Sequence, residues 1–221
     1  MNIKAVSNNL IGSQYMAAGR SSESDKVSEN RISEKAVELA EKAIEEPPFY
    51  EYQKEPWLTE SGGIYDDNRE QYIVLKKIIQ EMNLSLMQFT YNSFMKTLAD
   101  THPEIASKKF GFTLSEDATL KIIDYENSLT DNEKNVLAES MRRFDQFELK
   151  LQMCAKGMME LVDHDQKTFG GRYQLDIRSF QDVIDFRKIL SVGVKDMNNE
   201  WARQVGANAE ARDTAYISTS A

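Results

Sequence analysis

From Leu137 to Val162 the apolar side chains recur in steps of four and three. They are Leu137, Met141, Phe144, Leu151, Ala155, Met158 and Val162, with Glu148 the one polar residue in the seam. This is heptad-like spacing, which only a helix can turn into a continuous apolar edge. No proline occurs after Pro103, so nothing there forbids a helix of this length. The start is marked as well. Thr130 can accept the amide proton of Glu133, and Glu133 can reach back to the amide of Thr130. The pattern predicts one long helix from about residue 131 to 163.

That segment carries more apolar residues than one seam needs. Phe147, Cys154 and Leu161 form a second seam, and Met153, Met158 and Met159 add to the load. A helix apolar on two faces is either central in a bundle or shares one face with a partner. Methionine adapts to irregular surfaces and is frequent where proteins bind several partners. The partner reading makes Phe147, Cys154, Met158 and Leu161 the candidate contact residues. Trp57 joins them from an aromatic loop at residues 49–67, where Phe49, Tyr50 and Tyr52 also lie. Large rings are favoured contact residues, although such a loop can equally fold back over its own domain.

The remaining elements are also helical, with one exception. Ser33 can cap a helix that Pro47 and Pro48 stop near residue 46. Tyr72, Leu75, Ile78, Ile79 and Met82 make one apolar stripe over residues 67–82. Met87, Phe94, Met95 and Leu98 make another over residues 85–100. Asn83-Leu84-Ser85 is read as the turn of an antiparallel hairpin between them. Phe110, Phe112 and Leu114 alternate and Leu120 to Ile123 resumes, which predicts one small β-hairpin at about 110–123. Two strands alone are marginal in water, so it must pack on the helices. Gly170-Gly171 breaks the chain, and a last helix is expected from near Ser179, with Asp182 completing an imperfect cap. The fold expected is mainly α: a bundle of four to five helices with one long central helix and the hairpin. Residues 1–30 are expected to be a disordered segment, 31–205 the helical domain, and 206–221 a disordered tail.

Composition narrows the function. The 27 basic and 36 acidic side chains leave a net charge of −9. Nucleic-acid binding draws its affinity from Lys and Arg set against phosphates, so no nucleic-acid partner is expected. No stretch approaches 18 consecutive apolar residues, which excludes a predicted membrane-spanning helix. The first ten residues lack the apolar core of a secretory signal. The Ser- and Asn-rich start resembles, in composition alone, the N-termini of bacterial type III secretion and flagellar-export substrates. The expected location is therefore cytoplasmic, or exported without a cleaved signal peptide. One cysteine cannot form an internal disulfide or a thiolate zinc site.

Chemistry-bearing patterns are few. Asp163-His164-Asp165 combines two carboxylates and an imidazole, but ligands on a helix want spacings of three or four. An EF-hand register from Asp163 fails, because its sixth position is Thr168 and its twelfth is Gln174. Phosphate-cradling and nucleophile-elbow motifs are missing. No catalytic, cofactor or metal-ligating residue is singled out. The function expected is a non-enzymatic protein–protein interaction protein, a candidate secretion-system substrate or effector, whose partner is another protein or itself. The alternatives are a small metal-dependent helical enzyme using Asp163, His164 and Asp165, and a homo-oligomeric structural protein.

Overall fold

The computed structural model describes residues 47–59 and 68–212. The expected helix at 33–46 and the expected disordered segment 1–30 lie outside them, as do residues 213–221. Among the described residues the body built from Pro48 onward is mainly helical, with one two-stranded hairpin. The order is α1 (Pro56–Thr59), α2 (Arg69–Thr101), α3 (Pro103–Ala106), β1 (Phe110–Leu114), β2 (Leu120–Asp124), α4 (Asp131–Arg143), α5 (Phe147–His164), α6 (Gln166–Phe169), α7 (Ile177–Val183), α8 (Phe186–Leu190) and α9 (Val194–Asn208).

The hairpin expected between residues 67 and 100 does not exist. Those residues form a single 33-residue helix, α2. The triplet Asn83-Leu84-Ser85 contains neither glycine nor proline, so its helix cost is only a few tenths of a kcal/mol per residue. Leu84 is fully buried, and Ser85 Oγ donates to the Glu81 carbonyl 2.7 Å away, which keeps its hydroxyl inside the helix. Asn68 caps the start by accepting the Glu70 and Gln71 amides.

The opposite correction applies to the expected long helix. It breaks at residues 144–146 into α4 and α5. Asp145 and Gln146 both take positive φ, +43° and +56°, which costs an L-residue roughly 1–2 kcal/mol. What offsets that cost is tertiary. The break lets α4 lie along β2 while α5 runs antiparallel to α2. Glu148, the polar interruption in the seam, accepts the Leu120 amide at 2.6 Å and the Arg142 guanidinium at 3.2 Å. Lys150 closes the corner on Asp145 at 2.7 Å. The last expected helix is likewise divided into α7, α8 and α9. Asp176 and Ser179 form the cap, not Ser179 and Asp182. Asp185 caps α8, and Gly193, read as a weak point, is the N-cap of α9. α9 runs to Asn208, and Ala211 bridges Tyr173.

The capping box and the β-hairpin form where the sequence places them. Phe110 pairs with Asp124 and Leu114 with Leu120. Phe112 meets Tyr91, Phe147 and Phe186 at ring distances of 5.2, 5.3 and 6.1 Å, which anchors the hairpin in the helical core. At the head of α4 the Glu133 carboxyl is held down at about 2 by Lys108 and by the Thr130 amide and hydroxyl. A carboxyl depressed in the folded state stabilises above its unfolded value and loses that contribution as pH falls toward the folded one. Acid unfolding should therefore draw on this cap between about pH 4.5 and 2, and Glu133→Gln should remove that part of the acid dependence. Thr130→Ala should cost about 1 kcal/mol, read as a lower midpoint in thermal melts at neutral pH.

Candidate functional site

Two places on the body differ from ordinary core or solvated surface. The first is the cleft where α5 ends. Asp163, His164 and Asp165, expected as a polar helix end, are all buried, at 8%, 3% and 2% exposure. They diverge to separate partners. Asp163 accepts the Tyr50 hydroxyl at 2.7 Å on one oxygen and Arg212 on the other. Asp165 pairs with Lys77 at 2.6 Å and accepts the Thr168 amide, capping α6. Burial alone would raise the Asp165 carboxyl. Lys77 and Thr168 more than cancel that and hold it below its ordinary value.

The His164 ring is enclosed by aromatics. Tyr52 stacks on it at 5.4 Å, while Trp57 and Tyr72 stand edge-on at 5.9 and 6.5 Å. Arg69 lies over Trp57 and donates to the His164 carbonyl at 2.8 Å. One turn earlier, Glu160 takes Lys76 at 2.8 Å and the Tyr72 hydroxyl. Burial, with a further push from Glu160, raises the Tyr50 phenol well above its ordinary value, so Tyr50 stays a donor to Asp163 at every physiological pH. A cavity of about 280 Å³ opens beside these residues, lined in part by Phe49, Tyr50, Lys156, Glu160 and His164. The three carboxylates are committed to cations and hydroxyls, and no group of three or more His, Cys, Asp or Glu among the described residues is placed to hold a metal ion. The cluster acts as a clasp. It fastens residues 49–57, with half-buried Trp57, onto the end of α5.

The second place is α2. Val74, Ile78, Ile79, Met82, Leu86 and Phe89 are exposed by 44–70%. At 100° per residue they fall on one face, opposite the buried face of Tyr72, Gln80, Leu84, Met87, Tyr91 and Phe94. A shallow groove of about 490 Å³ runs along this stripe between Ile78, Met82 and Leu86, with Glu81 and Ser85 on its rim.

Neither a family model, nor a curated protein, nor a solved structure matches the chain.

The residues named from the sequence as partner contacts lie elsewhere. Phe147, Cys154 and Met158 are fully buried and Leu161 is 1% exposed, all within the main core. They offer no surface to a partner, because α5 is the central helix and α2 covers one of its two apolar faces. Trp57 belongs to the clasp. Conversely, Ile78, Ile79 and Met82, which the sequence groups with Tyr72 in one apolar stripe, point outward while Tyr72 is buried. The signal that could have found them is the number of apolar positions on α2, which is too large for one face.

Proposed function

We propose that this chain is a protein–protein interaction module whose contact face is the exposed stripe of α2. The observation that supports it is the contiguity of six large apolar side chains on one solvent face of a regular helix. Scattered exposed hydrophobes are ordinary, but a continuous patch on this scale marks an interaction surface. The groove along the stripe suits an apolar helix face laid into it, with contacts at three- and four-residue spacing. The clasp at His164 favours this reading over the metal-dependent enzyme, since Asp163 and Asp165 turn to different partners.

Met82→Glu with Leu86→Glu tests it in the full chain. The double variant should keep its helicity and its melting behaviour, because surface substitutions change stability by about 0.5 kcal/mol or less. It should also lose complexes that the unaltered chain forms when cross-linked in an extract of the cells that make it. A variant that unfolds would show the stripe to be core. One that retains every complex would place the contact face elsewhere.

A further inference from the structure

Resting on that interaction reading, we propose that Met82 and Met153 are an oxidation site: a peroxide converts both to sulfoxides and so switches off the apolar face around Leu86. The distribution of sulfur is the first argument. Met87, Met141, Met158, Met159 and Met197 are fully buried, Met95 is half-buried, and Cys154 is enclosed on α5. Among the described residues only Met82 and Met153 present a methionine to solvent as exposed side chains, at 59% and 48%. Oxidation of sulfur follows exposure, so chemistry that spares the core is directed to these two.

Their position is the second argument. Lys150 donates to Thr90 at 2.9 Å, and Lys76 pairs with Glu160 at 2.8 Å. These two ties fix the register of the antiparallel pair α2 and α5. On α2 the row between them runs Lys76, Ile79, Asn83, Leu86 and Thr90. On α5 it runs Lys150, Met153, Gly157 and Glu160. Both rows advance in steps of three and four, so each keeps to one side of its helix. Met153 therefore stands level with Leu86 across the helix pair. Met82 lies one turn before Leu86 and lines the shallow groove with it. The two exposed methionines thus flank the same leucine from two helices.

The chemistry needs only hydrogen peroxide. The thioether sulfur attacks one peroxide oxygen, the O–O bond breaks, an S–O bond forms, and the other oxygen leaves as water. Sulfur gives up the two electrons that the peroxide gains. An apolar side chain becomes a polar one with a strong acceptor oxygen. Burying that acceptor against an apolar partner without a donor is unfavourable, and each sulfoxide should weaken such a contact about tenfold or more. The fold is spared, because both side chains stand outside the core. The change is also reversible: two thiols of a methionine sulfoxide reductase return the thioether, giving a disulfide and water.

Hydrogen peroxide treatment of the full chain, followed by peptide mass spectrometry, tests the site. Met82 and Met153 should oxidise at nearly the rate of the urea-unfolded chain. Met87, Met141, Met158, Met159 and Met197 should react about tenfold or more slowly, because they wait for the core to open. Helicity and melting midpoint should not change at that stage. The face itself is probed with anilinonaphthalene sulfonate, a dye that binds exposed apolar surface. Its fluorescence should fall several-fold on oxidation, and Met82→Gln with Met153→Gln should lower it without peroxide. In Met82→Leu with Met153→Leu, peroxide should change neither the dye signal nor the cross-linked complexes relative to the same variant untreated. Buried methionines that oxidise as fast as these two would overturn the site. Stripe-dependent complexes that persist on a chain oxidised at both positions would overturn the switch and leave the interaction reading standing. If Met82→Glu with Leu86→Glu loses no complex, the interaction reading falls, and the switch with it.

Discussion

Replacing Phe147 by alanine is expected to cost about 3–5 kcal/mol, the range for truncating a fully buried phenylalanine. The side chain is completely enclosed, with Phe94 and Phe112 edge-on to it at 6.0 and 5.3 Å. It ties α2, the hairpin and the first turn of α5 together. Domains carry only about 5–15 kcal/mol of net stability, so this one truncation removes a large share. In urea melts the midpoint should fall steeply, and Phe147→Asp should leave no cooperative transition, because an unpaired buried charge is costlier still. Phe89→Ala, a similar deletion on the exposed stripe, should change stability by about 0.5 kcal/mol or less. If the two truncations cost the same, the division of apolar residues between core and exposed stripe is wrong.

The thiol of Cys154 should be nearly silent in the native protein. It is fully enclosed on α5, and burial pushes its pKa up to about 12, so little thiolate exists at neutral pH. Labelling by a thiol reagent must wait for opening of the core. Native proteins populate unfolded states at about one part in a thousand or less. The native rate should accordingly be slower than the denatured rate by about a thousandfold or more. Labelling at the speed of a free thiol would mean that α2 does not cover this face of α5.

Local features of the fold were legible in the sequence, because local chemistry decides them. The Thr130–Glu133 box needs only its own four residues, and the alternation of Phe110, Phe112 and Leu114 needs only a pleated strand. The two breaks that were misplaced are decided at a distance. Asn83-Leu84-Ser85 resembles a turn, but Leu84 is held in the core and the helix continues through it. Phe144 to Gln146 resembles continuous helix, but Glu148 is claimed by Leu120 and Arg142 and the chain bends. The exposed apolar face was the least legible. α2 is apolar on two sides, and periodicity does not say which side is inside. The choice is made by Gln80, which donates to the Cys154 carbonyl at 3.1 Å, and by Gly157, whose missing side chain leaves room for the Gln80 amide. The clasp was visible only as Asp163-His164-Asp165. Its cations and rings come from residues 50–77 and 212, too far along the chain for spacing to reveal.

The clasp also gives the body a particular mechanical connectivity. Tyr50, near the start of the described chain, and Arg212, at its end, grip the two oxygens of one carboxylate, Asp163. The segments around Tyr50 and Arg212 are thus held at one carboxylate, and loss of the Asp163 side chain should loosen both from the end of α5 together. The latch is polar and stands apart from the apolar core, so the two can loosen independently. None of the stripe residues Val74, Ile78, Ile79, Met82, Leu86 and Phe89 enters that contact, so opening the latch leaves the exposed face of α2 as it is.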